Sequence, residues 1–288
     1  MITGLDVVKV SNRAKTIFDI ERKSNLIADF NNLCDDFKKK KIQKDYTIMS
    51  LIEESICDWE FREGAGNIDL YLNNKQININ SSKRSPYKKE EKIVFTLELY
   101  INLLKWAPSH LEKKKTFLDS LNFAQVPLEN VLNPYIENII FILEQINMTV
   151  RKKKLKNGSY QYFVNKRDAD VDVTLENDPE IAEVLLSYLD IRNSRDLEFK
   201  KNALASIARY LEPKKNDYKS TEYYGLYKSL FFAFNKFGIR HNDDKQIQLT
   251  QDEQLEIYDR IFRMAVHLIQ SSQVKEFNKI IDNYKTRL

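Results

Sequence analysis

The chain has 288 residues, of which 42% are hydrophobic and 11% aromatic, so it can bury a sizeable core and is not a disordered protein. Glycine and proline number only six each, which disfavours an all-β protein and favours long helices. The formal net charge is only +4, so any nucleic-acid-binding surface must be a local basic patch.

The first half of the chain predicts helices. Apolar residues recur at helical spacing over 26–37 and again over 48–59, and a lysine run at 38–41 separates the two segments. Residues 67–92 are polar and predict mostly loop. A helix is expected from Glu91 to Trp106.

Prolines are expected to interrupt the helices of this half. Pro108 is predicted to stop the helix that begins at Glu91, and another helix is predicted to follow as far as Phe123. The next helix is predicted to be broken near Pro134.

The hydrophobic period then changes to that of strands. Residues 147–155 and 160–165 flank the turn sequence Lys156-Asn157-Gly158-Ser159. Asn-Gly between alternating segments predicts a β-hairpin, because both residues tolerate positive φ. Alternation over 171–175 is compatible with a third strand.

The last third predicts four helices with short connections. Their start and stop signals are Asp178-Pro179, Asn193 or Ser194, Ser220 or Thr221, Gly238, and a capping box from Thr250 to Glu253. The fold class is therefore mainly α, with a helical domain over 1–146, a small basic β-hairpin insert over 147–177 and a helical bundle over 178–288.

Several classes of function are disfavoured by missing motifs. The chain has no phosphate-binding P-loop, no His-Glu-x-x-His and no Cys-x-x-Cys, and Cys34 and Cys57 read as two reduced, buried thiols. No metal and no cofactor is expected. The chain has neither a signal-peptide pattern nor an apolar stretch of about 20 residues, which predicts a cytoplasmic protein without a membrane partner.

Chemistry is concentrated in a polar turn after the third helix of the bundle. Arg240 can neutralise a phosphate, His241 can transfer a proton near neutral pH, and Asn242 can orient either group. Arg240, His241 and Asn242 are the candidate catalytic set for cleaving an RNA phosphodiester, and Lys236, in the last turn of the preceding helix, is a candidate nucleic-acid-binding residue. The alternative is an ordinary polar loop in which Asp243 or Asp244 pairs with Arg240.

A second candidate site is the hairpin. It carries five cations and three aromatic residues on its partner strand: Arg151, Lys152, Lys153, Lys154, Lys156, Tyr160, Tyr162 and Phe163. Such a pattern suits an RNA backbone with unpaired bases stacking on the rings. The alternative is an exposed hairpin whose lysines maintain solubility and block strand pairing.

The segment from Asp178 to Ser272 resembles bacterial abortive-infection proteins of the AbiJ-like kind, whose C-terminal domains belong to the HEPN superfamily. The matching strings are Lys-Lys-Asn-Ala-Leu at 200–204, Leu-Glu-Pro at 211–213 and Phe-Asn-Lys-Phe-Gly-Ile-Arg-His-Asn at 234–242. The resemblance implies a four-helix, up-and-down bundle that forms a homodimer. It also implies an antiphage effector that is a metal-independent endoribonuclease, or toxin, acting on host or phage RNA.

The same resemblance places the catalytic arginine and histidine on Arg240 and His241. In the superfamily's motif several residues separate the two, whereas here they are adjacent. The alternative is therefore a catalytically inactive HEPN-like module that binds RNA or a partner protein within a defence system.

Overall fold

A computed structural model describes residues 5–8, 25–43, 46–81, 85–111, 127–240 and 247–285. Over these residues the chain is mainly helical, which confirms the predicted fold class at that level. Its contacts divide it into two compact units, Met1–Lys166 and Arg167–Leu288. The hairpin thus belongs to the first unit, and residues 167–177, which the sequence grouped with it, belong to the second.

The first unit combines helices with a small sheet. Its elements are β1 (Leu5–Val8), α1 (Leu26–Lys39), β2 (Lys41–Gln43), β3 (Tyr46–Thr47), α2 (Ile48–Asp58), α3 (Ile68–Asn74), α4 (Lys89–Leu111), α5 (Leu128–Gln145), β4 (Met148–Lys154) and β5 (Tyr160–Lys166). The antiparallel strands β1, β4 and β5 form one sheet in that order, and β2 pairs with β3.

Helix α4 is the centre of the first unit. Residues 92–104 of this helix are all buried, because α1, α2, α5 and β5 each pack against it. The apolar faces predicted for α1 and α2 supply much of this core, with Leu33, Phe37 and Ile52 almost fully inaccessible. A helix buried on every side must also satisfy any polar side chain that it carries.

Two of the buried polar side chains of α4 bind the backbone of β5. Asn102 accepts a hydrogen bond from the Tyr162 N–H at 2.9 Å and donates one to the Tyr162 carbonyl at 2.7 Å. Glu98, one turn earlier, accepts from the Val164 N–H at 2.7 Å. These side chains take the place of a neighbouring strand, so the outer edge of β5 is closed by a helix.

Three predictions for the first unit are wrong. Residues 68–74 form α3 instead of loop, because the Asn67 side chain caps the helix by accepting from the Leu70 N–H at 2.8 Å. Pro108 lies inside α4 and Pro134 inside α5. Each proline removes a single hydrogen bond, and the buried apolar faces offset that loss. The helix predicted as far as Phe123 lies outside the described residues.

The second unit is built from helices. They are α6 (Ala169–Asn177), α7 (Pro179–Leu189), α8 (Leu197–Leu211), α9 (Lys215–Lys219), α10 (Tyr224–Lys236) and α11 (Gln251–Lys285). Helix α8 packs against α7, α10 and α11, and α6 packs against α7 and α11. The four long helices predicted from the sequence are thus present.

Local signals in this unit were only partly recognised in the sequence. The Thr250–Glu253 capping box forms, and its hydrogen bonds hold the pKa of the Glu253 carboxyl below its usual value. Residues 171–175 are helical, not a third strand, because Asp168 caps α6 by accepting from two backbone N–H groups. The third strand of the sheet is instead β1, which lies about 140 residues earlier in the chain and pairs with β4.

Helix α7 is held near each end by a cluster of tyrosine, aspartate and lysine. At its start, Tyr210 and Lys214 both bind Asp178. At its end, Tyr188 donates to Asp259 at 3.0 Å, and Lys200 binds the same carboxylate oxygen at 2.5 Å. Lys200 also lies over the Tyr188 ring, 4.2 Å from its centroid. Burial, followed by Asp259, raises the pKa of Tyr188 well above its usual value.

Neither thiol of the chain is in a disulfide, and Cys57 is exposed rather than buried as predicted. In the part of the chain that the structure describes, no helix combines the length and apolarity needed to cross a bilayer.

The Asn102→Ala variant is expected to lower the free energy of unfolding by about 2 kcal/mol, because it removes a buried side chain and leaves the part-buried N–H and carbonyl of Tyr162 without their partner. Urea denaturation followed by circular dichroism measures this change. Asn32→Ala makes the same change at an exposed position of α1 and should alter stability by less than about 0.5 kcal/mol. Equal effects would contradict the role of Asn102 at the edge of β5.

The two partners of the Lys200–Asp259 pair are expected to differ in their cost on removal. Lys200 is 3% exposed and Asp259 is 34% exposed. Asp259→Ala leaves a buried ammonium without its carboxylate and should cost about 3 kcal/mol of unfolding free energy. Lys200→Met leaves a carboxylate that water can reach and should cost less. The reverse order in chemical denaturation would contradict this account.

Candidate nucleic-acid interface

The tip of the hairpin is a five-residue loop between Lys154 and Tyr160, the last paired residues of β4 and β5. The Leu155 N–H donates to the Ser159 carbonyl at 2.8 Å, and the Gly158 N–H donates to the Leu155 carbonyl at 3.0 Å. Gly158 has a φ of 86°, which glycine adopts without strain. The predicted hairpin is confirmed. Of the two turn residues expected to tolerate positive φ, Gly158 adopts it and Asn157 does not.

Asn157 stabilises this loop with its side chain. Its amide oxygen accepts from the Ser159 N–H at 3.0 Å, and its amide nitrogen donates to Glu60 at 3.2 Å. The Ser159 hydroxyl also reaches Glu60, at 3.4 Å. The loop after α2 therefore contacts the hairpin tip through the Glu60 carboxylate.

Strand alternation divides the cations of the hairpin between two faces. Lys152 lies opposite Tyr162, and Lys154 lies opposite Tyr160. Because directly opposed residues of antiparallel strands share a face, all four lie together. We call Lys152, Lys154, Tyr160 and Tyr162 the Lys–Tyr face.

The opposite face has a different character. Arg151 lies opposite Phe163, and both are buried, with Arg151 only 5% exposed. Lys153, next along the strand, is exposed and lies opposite Gln161. The predicted set of cations is therefore not one continuous surface, and Arg151 is not available to a ligand at the surface. Lys156 is exposed in the loop.

The rings of the Lys–Tyr face are exposed to different extents. Tyr160 is 47% exposed, and the Lys152 ammonium lies 5.3 Å from its ring centroid. Tyr162 is half-buried, and burial, followed by Tyr160 and Glu129, raises the pKa of its phenol. Tyr162 therefore stays uncharged near neutral pH, and no phenolate repels an approaching phosphate.

The structure places Arg240 against a carboxylate. Gly238, with a φ of 70°, ends α10 as predicted, and the Arg240 N–H then donates back to the Phe234 carbonyl at 3.0 Å. The Arg240 Nη2 group donates to both carboxylate oxygens of Glu212, each at 2.8 Å. Its guanidinium carbon also lies 5.5 Å from the Phe231 ring centroid.

This pairing bears on the alternatives for the turn. Among the described residues, the carboxylate that pairs with Arg240 is Glu212, from the segment after α8. The alternative in which Asp243 or Asp244 pairs with Arg240 lies outside the described residues. Glu212 is 52% exposed, whereas the Arg240 side chain is 20% exposed. A phosphate that bound this guanidinium nitrogen would have to displace a carboxylate that accepts two hydrogen bonds from it.

The structure describes only one of the other candidate residues at this turn, Lys236, which was predicted to bind nucleic acid. His241 and Asn242 lie outside the described residues, as do Asp243 and Asp244. Lys236 is half-buried, and its carbonyl accepts from the Ile247 N–H at 3.0 Å, which brings the ends of the turn together.

One histidine contact was missed in the sequence. His110 lies in the last turn of α4, beyond the break predicted at Pro108. Its Nε2 is 3.2 Å from Asp58, and its ring stacks on Trp106 with centroids 4.0 Å apart. The two partners are separated by 52 residues in the chain, so no local pattern could reveal the pair. Among the described residues no group of three or more potential ligands is arranged to hold a metal ion.

Comparisons with known proteins add no relative. No family model, no curated protein and no solved structure matches this chain. The resemblance to abortive-infection proteins therefore depends on the short strings in residues 200–242.

Proposed function

We propose that this protein binds RNA in a bacterial antiphage response, with the Lys–Tyr face of the hairpin as a contact surface. The observation that carries the proposal is the pairing of Lys152 and Lys154 with two tyrosines on one face. Lysines attract the phosphate backbone, and the rings offer surfaces on which bases stack.

The modest charge of the chain agrees with a local contact. A net charge of +4 over 288 residues gives no general attraction for polyanions, so binding depends on where cations concentrate. Four lysines lie within the five positions 152–156. Glu60 at the loop is the carboxylate that contacts this tip in the described part of the chain.

The defence context of the proposal comes from the resemblance of residues 178–272. It gives a HEPN-like bundle, a homodimer formed through that bundle, a cytoplasmic location and host or phage RNA as the target. The four long helices of the second unit are compatible with such a bundle. In this proposal the protein is a catalytically inactive binding module. The adjacency of Arg240 and His241 in the sequence favours this alternative to a ribonuclease.

A metal-independent endoribonuclease is the second candidate function. In its favour, Gly238 ends α10 with a positive φ two residues before Arg240, and His241 and Asn242 follow Arg240 directly in the sequence. Arg240 would stabilise the charge that grows on the phosphate, and His241 would transfer a proton. The Glu212 contact favours the binding module, since the guanidinium already has an anionic partner.

RNA binding is expected to depend on the hairpin lysines. Replacing Lys152, Lys153, Lys154 and Lys156 by serine should weaken binding at least about tenfold, because contacts between lysines and phosphates supply much of the affinity. Each lost phosphate contact should also lower the slope of log affinity against log salt by about 0.7. Fluorescence anisotropy with labelled RNA at several salt concentrations measures both quantities. The matched control replaces the exposed lysines 38–41 by serine. If both variants bind like the unaltered chain, the hairpin is not the contact surface.

Cleavage separates the two candidate functions. If the turn is catalytic, the purified chain cuts RNA in EDTA, His241→Ala abolishes cleavage, and His267→Ala, at an exposed position of α11, leaves it intact. Gel analysis of the RNA products measures the activity. Binding without cleavage by the unaltered chain would contradict the ribonuclease and leave the binding module.

A further inference from the structure

We infer that the Lys–Tyr face takes a single-stranded polynucleotide, with a base on Tyr160 and the adjoining phosphates on Lys154 and Lys152, and that the opposite face of the hairpin takes no part. This inference rests on the proposed function, because it names the form of nucleic acid and the side of the hairpin that binds it.

The register of the hairpin brings cations and rings together on one face. Lysines occupy one strand of the face and tyrosines the other, so each cation lies directly across from a ring. Paired strands are about 4.8 Å apart, which is within reach of a single nucleotide. One polynucleotide strand can therefore contact a ring and an ammonium together.

The ring of Tyr160 is accessible to a ligand. Tyr160 is among the exposed large apolar or aromatic side chains, although it lies at the end of a paired strand. The Lys152 ammonium near its ring restricts the side chain before any ligand arrives. A ring that is already held loses less conformational entropy when a base stacks on it.

Side chains from outside the hairpin hold it at two places. Asn102 binds both backbone groups of Tyr162, and Glu60 binds the loop through Asn157 and Ser159. The hairpin tip is thereby anchored at two points by residues far away in the sequence. Binding residues on a fixed element are positioned more precisely than those on a free loop.

Acidic side chains near the Lys–Tyr face limit the area on which a polyanion can bind. Glu129 acts on the Tyr162 phenol, and Glu60 contacts the loop. Lys154 and Tyr160 are the pair of the face next to the loop, beyond the residues of β4 that pair with β1. The contact is therefore expected to be short and centred on this pair.

The form of the nucleic acid follows from the chemistry of a ring. Bases of a duplex are stacked on one another and present only their edges, so an exposed tyrosine gains little from a duplex. Unpaired bases expose their faces, and stacking on an aromatic side chain contributes about 1–3 kcal/mol per base. A face that combines one exposed ring with lysines is therefore selective for unpaired nucleotides.

The test uses the full chain and four single variants in two matched pairs. Lys154→Gln is compared with Lys153→Gln, the adjacent exposed lysine on the opposite face, and Tyr160→Leu is compared with Gln161→Leu. The probes are a labelled single-stranded RNA, a DNA of the same sequence and the corresponding RNA duplex. Anisotropy titrations at several salt concentrations give the affinity and the salt slope, and circular dichroism confirms that each variant is folded.

Tyr160→Leu is expected to weaken single-strand binding about tenfold and to leave duplex binding unchanged, with no effect of Gln161→Leu. Lys154→Gln should lower the salt slope by about 0.7, whereas Lys153→Gln should not change it. Equal binding of single-stranded RNA and DNA is compatible with the inference, because neither a ring nor a lysine senses the 2′-hydroxyl.

Two results would overturn the inference while the proposed function stands: equal effects of Lys153→Gln and Lys154→Gln, or duplex binding as tight as single-strand binding. Failure of the unaltered chain to bind any RNA would instead contradict the proposed function itself. The two failures are therefore distinguishable in one set of titrations.

Discussion

The first unit depends on how a fully buried helix satisfies its polar side chains. Helix α4 is enclosed on all sides between residues 92 and 104, yet it carries Glu98 and Asn102 in that stretch. Each finds its partner in the backbone of β5. Since unpaired groups there would cost more than the net gain of a hydrogen bond, the helix and the hairpin specify each other's position. The same contacts cover the outer edge of β5, so the strand of another chain cannot pair with it there.

The second unit uses buried ionic groups in a different way. Helix α7 has a tyrosine, an aspartate and a lysine at each end, and Lys200 is almost inaccessible. Such pairs contribute little net stability, because desolvation of the charges opposes their attraction. They do penalise any packing in which the lysine and the carboxylate fail to meet. The apolar contacts of α8 stabilise the unit, and the clusters restrict which arrangement of α7, α8 and α11 is compatible with them.

The sequence revealed the features that depend on neighbouring residues. The apolar faces of α1 and α2, the capping box at Thr250, the stop at Gly238 and the turn at Asn157-Gly158 each follow from a few consecutive positions. Features that depend on distant residues were missed. Strand β1 pairs with β4 across about half the chain, and the partner of Arg240 is Glu212, 28 residues earlier. Rules based on neighbouring residues cannot predict such pairings. The same rules predicted helix breaks at Pro108 and Pro134, but packing of the apolar faces keeps both prolines within helices.

The two candidate sites show why a run of charges in a sequence is not yet a surface. On a strand, neighbouring residues face opposite ways, so Arg151 and Lys153 separate from Lys152 and Lys154, and Arg151 enters the interior. At the polar turn, the guanidinium of Arg240 forms an ion pair with Glu212, which follows the end of α8. In both cases the fold reduces the number of cations that a phosphate can reach. What remains on the hairpin is a small set of lysines in register with tyrosines, and that arrangement selects for nucleotides whose base faces are open rather than for negative charge alone.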